Sequence, residues 1–166
     1  MLLKPEIKLD KVTDITCEML ARRCIDSLLL DVDNTLSTHH GMVLTDGLTE
    51  WIEKMKSNGI KLLVLSNSKR DRVEPFAEKI GLDFISLALK PLPSGYIRGM
   101  KRLNSGKNNT AIVGDQIFTD ILGGNAVGIH TVLLTPIKPE GSIRFRFKRA
   151  LERAVYKLYR IKTTEE

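Results

Sequence analysis

The sequence predicts an α/β fold: a three-layer sandwich of Rossmann type around a central parallel sheet of about five strands, with no large cap domain. Three observations carry this. Apolar runs of strand length recur at Ser27–Leu30, Ile60–Leu65, Phe84–Leu87, Thr110–Val113 and Ile129–Leu134. The stretches between them repeat at the 3.6-residue helical period. Polar residues able to do chemistry follow the ends of the apolar runs, where a parallel sheet binds its ligands.

Taken in chain order, Thr16–Arg23 reads as a first helix. Cys17 and Cys24, seven residues apart on one face and without Cys-Xaa-Xaa-Cys spacing, read as a buried reduced pair. The run Leu28-Leu29-Leu30 closes the first strand. Leu48–Ser57 is a helix that places Trp51 in the core and stops before Gly59; Arg70–Lys79 is the next, stopping before Gly81. Pro93 opens a helix over Ser94–Leu103, and Thr119–Ala126 is a helix ended by Gly128, with Gly123-Gly124 permitting close packing. Thr135–Ser142 breaks the pattern as a loop, and Arg146–Tyr159 is a final helix.

At 166 residues with 42% hydrophobic content, the whole span 1–166 is expected to be one domain. No run of eighteen apolar residues occurs, and Met1–Glu6 lacks the apolar core of a secretory signal. The expected location is cytoplasmic, either in solution or in peripheral contact with the inner face of the membrane. The net charge of +6 is uneven: Gly141–Glu166 contributes +5 and everything before it +1. In this tail Phe147, Leu151, Ala154, Val155, Leu158 and Tyr159 recur at helical spacing among Lys148, Arg149, Arg153, Lys157 and Arg160. The result is a basic amphipathic helix at about 143–161, suited either to packing on the sheet or to lying on an anionic membrane. Few aromatics and no recognisable module speak against nucleic acid as a partner. Nothing specifies an oligomeric state.

The chemistry begins at Asp31-Val32-Asp33-Asn34-Thr35-Leu36. Alternation along an extended chain sends Asp31 and Asp33 to one side, where their charges repel unless a cation joins them. Ser66-Asn67-Ser68 follows the second strand, Lys90 the third, and Gly114-Asp115 the fourth, with Asp120 five residues on. Parallel strands bring these ends to one edge. Oxygen ligands for Mg²⁺ then stand beside a hydroxyl and an ammonium for an anion, the parts phosphoryl transfer uses. The absence of thiolate and imidazole from the set argues against Zn²⁺. One carboxylate can attack phosphorus while its neighbour protonates the leaving oxygen and then activates water.

These four segments, in this order, resemble the motifs of the haloacid dehalogenase superfamily over roughly Asp26 to Leu134. The resemblance implies Asp31 as nucleophile and Asp33 as general acid/base. Ser66 and Lys90 would bind the transferring phosphoryl group with Asn67 assisting. Mg²⁺ would be held by Asp31, the main-chain carbonyl of Asp33 and Asp115, with Asp120 in support. More narrowly, the wording of Gly114–Asp120 and the following Ile121–Ala126 resemble the YqeG branch of the type IIIA phosphatases, whose relatives include phosphatidylglycerophosphate phosphatases.

Neither Ser37–Lys61 nor Lys69–Leu89 has room for a folded cap, and an open crevice favours a bulky, lipid or peptide phosphoester over a small sugar phosphate. The competing functions are a receiver-like signalling module and a non-catalytic module binding membrane or RNA through its tail. A receiver places its phosphoacceptor on a later strand than its acidic pair and its lysine after both; here Lys90 precedes Asp115 and Asp120. His39 and His40 before Gly41 read as solvated turn residues, and Arg70 and Arg72 as either an exposed first helical turn or contacts to a substrate anion.

Overall fold

Alternation within the central strands decides the layering. In the computed structural model, which describes residues 1–38, 43–137 and Val155, Leu28 and Leu30 face one side of the sheet with Leu62, Val64, Ala111 and Val113. Leu29, Leu63, Leu65 and Ile112 face the other. Strands buried on both faces read as continuous apolar runs, which is why Leu28-Leu29-Leu30 carries no polar residue.

The sheet holds β1 (Ile7–Leu9), β2 (Ser27–Leu30), β3 (Lys61–Leu65), β4 (Asp83–Ile85), β5 (Thr110–Gly114) and β6 (His130–Leu134). Their order is β1-β6-β5-β2-β3-β4, and every pairing is parallel. Five match the apolar runs; the sixth, β1, is a three-residue edge strand too short to register as a periodic pattern. On one face pack α1 (Cys17–Ala21), α2 (Leu48–Ser57) and α3 (Arg70–Lys79), whose Leu20, Trp51, Ile52, Met55, Val73 and Phe76 fill the first core layer. Trp51 is buried and donates its indole N–H to the Ile15 carbonyl at 2.9 Å. On the other face Tyr96 and Met100 of α4 (Pro93–Arg102) and Val127 of α5 (Leu122–Val127) fill the second layer.

Gly59, Gly81 and Gly128 each adopt a left-handed φ at the helix stops predicted for them. The helix expected at Thr119–Ala126 is instead two pieces, a π-turn over Ile117–Ile121 followed by α5. Helix α1 ends at Ala21, and Cys24 lies in a turn at φ +55° with its side chain exposed. The pair Cys17/Cys24 is therefore not a buried one: the helix stops two residues short of the expected Arg23, which takes Cys24 off the shared face. Both cysteines are free.

The described parts of the intervals after β2 and β3 are occupied by α2, α3 and a turn in which Ser37 bridges to Leu44. His39, His40 and all of the basic tail except Val155 lie outside the described residues. Val155 is helical and buried in a small cluster with Ile117, Ile121 and Leu133. Among the described residues no helix is long and apolar enough to cross a membrane.

Candidate active site

The strand order reverses at β2: from there the chain runs outward to β3 and β4 on one side, then returns to β5 and β6 on the other, where β1 forms the edge. Ligand crevices form outside the carboxyl ends of strands at such a switch point. Leu30 is in register with Val113, and the Asp31 N–H donates to the Val113 carbonyl at 2.9 Å. Asp31 therefore leaves β2 beside the end of β5, where Asp115 is the first residue past Gly114. Ser66 leaves the end of β3, with its N–H on the Ile85 carbonyl at 3.0 Å.

Lys90 reaches this edge from the loop after β4. Its ammonium donates to Asp31 Oδ1 at 2.6 Å and to Asp120 Oδ1 at 2.7 Å, and it is only 6% exposed. Carboxylate oxygens of Asp31, Asp115 and Asp120 all lie within 4.8 Å of one another, and all three residues are buried. Asp120 sits on the π-turn, with Oδ2 accepting from the Gln116 N–H at 3.2 Å. π-Turns recur at functional sites because the extra residue per turn re-aims a side chain. Gly114 is what lets Asp120 in: a Cβ there would stand 2.2 Å from Asp120 Oδ2. Gly123 plays the same part behind the site, where a Cβ would stand 2.2 Å from the Tyr96 hydroxyl that donates to the Thr119 carbonyl at 2.7 Å.

Asp33 turns elsewhere. Its Oδ1 accepts from the Arg72 guanidinium at 2.5 Å, at the solvent-facing side of the crevice, and Arg72 also donates to Ser68 Oγ at 3.3 Å. Arg72 is thus the site neighbour that sequence reasoning left undecided; the available signal was its place one helical turn beyond Ser68. Arg70 instead pairs with Glu74 and stacks on Phe84. Asn67 accepts the Lys90 N–H at 2.7 Å and donates to the Lys90 carbonyl at 3.0 Å, so both halves of its amide hold the Lys90 main chain. The Ser66 hydroxyl is buried at the same edge and accepts the Ser68 N–H at 3.1 Å.

Burial pushes the Asp31 carboxyl up to about 7; Lys90 opposes the shift, and Asp120 and Asp33 add to it. Burial by itself would lower Lys90, but Asp120 and Asp31 outweigh it and hold the ammonium well above its ordinary value. The cluster suits a hard divalent cation in two respects. All its donors are oxygens. When ionised, three carboxylates facing one ammonium also leave two negative charges, the amount a dication cancels. Asp31 and Asp115 belong to this grouping together with Asp120, while the carboxylate of Asp33 lies outside it.

The sequence model of the haloacid dehalogenase-like hydrolases matches residues 37–128, a span that holds Ser66, Lys90, Asp115 and Asp120 and begins just after Asp33. The probable phosphatase YqeG of Bacillus subtilis (strain 168) is 36% identical over 151 residues, covering 91% of this chain and 88% of that protein. The chain belongs to the haloacid dehalogenase-like hydrolases.

Two further relatives of this hydrolase are more distant. The ribulose-1,5-bisphosphate 5-phosphatase of Halopiger xanaduensis (strain DSM 18323 / JCM 14033 / SH-6) is 28% identical over 121 residues, covering 68% of this chain and 51% of that protein. The chloroplastic/mitochondrial phosphatidylglycerophosphate phosphatase 1 of Arabidopsis thaliana is 28% identical over 164 residues, covering 92% of this chain and 47% of that protein. Phosphatase relatives of this kind and a site of acids around an ammonium agree: this haloacid dehalogenase-like hydrolase is a phosphatase.

Proposed function

We propose that this phosphatase is a Mg²⁺-dependent phosphomonoesterase that works through an aspartyl-phosphate on a bulky or membrane-borne phosphoester, phosphatidylglycerophosphate first among the lipids. The observation that carries the reading is the buried contact of Asp31 with Lys90 beside two more carboxylates. An ammonium held protonated there neutralises the nucleophile until an anionic phosphoryl group arrives to share it.

In the first step an Asp31 carboxylate oxygen bonds to phosphorus and the ester P–O bond breaks, while Asp33 gives its proton to the departing alcohol oxygen. In the second, Asp33 takes a proton from a water molecule whose oxygen bonds to phosphorus as the Asp31–phosphorus bond breaks. Inorganic phosphate leaves and both acids return to their starting states. Lys90 and the Ser66 hydroxyl bind the non-bridging phosphoryl oxygens, and Asn67 assists by fixing the Lys90 main chain. Bound by Asp31, the main-chain carbonyl of Asp33 and Asp115, with Asp120 in support, Mg²⁺ would supply electrostatic stabilisation of the phosphoryl charge.

The substrate side of the proposal rests on the lack of a folded cap among the described residues after β2 and β3, and on the Arabidopsis thaliana relative, which covers nearly all of this chain. The Halopiger xanaduensis relative names a sugar bisphosphate and is the competitor to beat. A phosphate-release screen with and without Mg²⁺ decides between them, using phosphatidylglycerophosphate, sugar phosphates, nucleotides and phosphopeptides. Preference for a sugar phosphate would overturn the lipid assignment. Asp31→Asn is expected to abolish turnover with the fold intact, and unchanged hydrolysis would end covalent catalysis at that residue.

A further inference from the structure

Leu87, Leu89 and Leu92 share the loop of Lys90 and project the opposite way. They are 51%, 56% and 57% exposed, and Ile97 on the adjoining first turns of α4 is 53% exposed. The cause is local. The chain alternates through this stretch, with Leu87 out, Ala88 in, Leu89 out and Lys90 in. Leu87 and Leu89 adopt φ of +46° and +58°, the left-handed region that side chains other than glycine, asparagine and aspartate seldom enter. A conformation costly for leucine is held here twice with both side chains in water, and strain of this sort collects at functional segments.

The loop is also fixed. The Leu87 and Ala88 N–H groups donate to the Ser68 and Ser66 carbonyls at 2.9 Å each, and Arg98 donates to the Leu87 carbonyl at 3.2 Å. Asn67 holds Lys90 from both sides. The leucines are therefore displayed on a rigid mount beside the catalytic ammonium.

The charge along their own stretch of chain is of one sign. From Phe84 to Gly114 the chain has no aspartate or glutamate, against five lysines and arginines. Lys101 is exposed on the same face of α4 as Ile97, four residues on, and Arg98 is exposed next to Ile97 in the chain. Across the loop stands Arg72, joined to Ser68. Asp83, the acid preceding this stretch, is paired with Arg102 at 2.6 Å and 3.0 Å. An apolar patch alone would suit many partners. Apolar tips beside exposed cations, with Asp33 and Asp83 each held by an arginine, match a surface that is hydrocarbon inside and negative outside, which is a bilayer containing anionic lipid.

We propose that the Leu87–Leu92 loop and the exposed Ile97, Arg98 and Lys101 of α4 dock this enzyme on an anionic membrane. The proposal deepens the membrane-borne substrate reading above and takes that substrate class from it, but vesicle binding is measured without turnover.

Sedimentation of the full chain with phosphatidylcholine vesicles, with and without about one-third phosphatidylglycerol, tests it. Binding is expected to the anionic vesicles only. Leu87→Asn with Leu89→Asn keeps the left-handed conformation accessible and should weaken that binding about tenfold or more. Ile97→Gln with Lys101→Gln, off the catalytic loop, should weaken it several-fold while leaving hydrolysis of a soluble phosphomonoester unchanged. Leu92→Trp should show a blue-shifted emission on anionic vesicles, since Trp51 is buried and gives a constant background. Absence of vesicle binding, equal binding by both double variants, or a self-associated chain whose interface shields these leucines would overturn the proposal. Vesicle binding by a chain that hydrolyses no phosphoester would sink the proposed function and leave the docking surface standing.

Discussion

Replacing Lys90 by methionine removes the cation that contacts both Asp31 and Asp120, at 2.6 Å and 2.7 Å, while keeping much of the side-chain volume. At an effective dielectric of about 20, each contact is worth about 6 kcal/mol of Coulomb attraction, most of it offset by the desolvation of the charges. What the substitution exposes is the other side of that balance: buried carboxylates crowded together without a countercharge. Deleting one partner of a buried pair costs about 3–5 kcal/mol. For a chain of this size that lowers the melting temperature by about 6–20 °C.

The deficit should depend on pH and on metal. Asp31 is raised from its ordinary 3.8 to about 7, so the folded state holds its proton more tightly than the unfolded chain does. The stability tied to that proton is fully present below the unfolded value and is lost as pH rises through about 7. Without Lys90, which opposes the rise, Asp31 keeps its proton to higher pH still. Lys90→Met should therefore melt much earlier than the parent at pH 8 in chelator, and the gap should narrow at pH 5. Mg²⁺ should raise the melting temperature of the variant more than that of the parent, because the dication replaces the lost countercharge. Circular dichroism melts of the two chains at both pH values, with and without Mg²⁺, are sufficient. Melting within about 2 °C of the parent at pH 8 in chelator would refute the electrostatic account of the site.

Gly114→Ala puts a methyl group where the Asp120 carboxylate sits, so the Mg²⁺ concentration for half-activation should rise about tenfold or more; an unchanged titration would remove Asp120 from the metal's surroundings. Asn67→Ala deletes both bonds to the Lys90 main chain, and kcat should fall about 10–100-fold with a smaller change in stability. A kcat at the parental level would show that the loop holds Lys90 without it. Arg72→Met releases the carboxylate of Asp33, and the loss in kcat should be larger for alkyl than for aryl phosphates, because only the poorer leaving group depends on protonation. Equal losses for both classes would mean that Arg72 does not act through Asp33.

Much of the fold was legible because buried parallel strands leave so plain a trace. Leu28-Leu29-Leu30 reads as a strand covered on both faces, and α2 and α3 match their predicted spans residue for residue. Strand β1 was not legible: its three residues gain their ordering from β6 and carry little pattern of their own. The break at Ile117–Ile121 was hidden for the opposite reason. Its residues repeat well enough for a helix, and it is the seating of Asp120 against Gly114 and Lys90 that goes with a π-turn there. At the site, the acids, Ser66 and Lys90 were visible as residue types following strand ends. What each of them contacts was not. The amide of Asn67 is turned onto the Lys90 main chain, and the carboxylate of Asp33 onto Arg72, by contacts between residues 23 and 39 positions apart.

By itself the amino-acid order determined the α/β class and the edge at which the acids, Ser66 and Lys90 gather. Those follow from period, punctuation and side-chain type, which are local properties. Tertiary structure alone decided which carboxylates share Lys90, which one faces solvent, and that Leu87 and Leu89 stand outside the fold while their neighbours stand inside. Such outcomes depend on distances between segments remote in the chain, and no pattern read along one segment contains them.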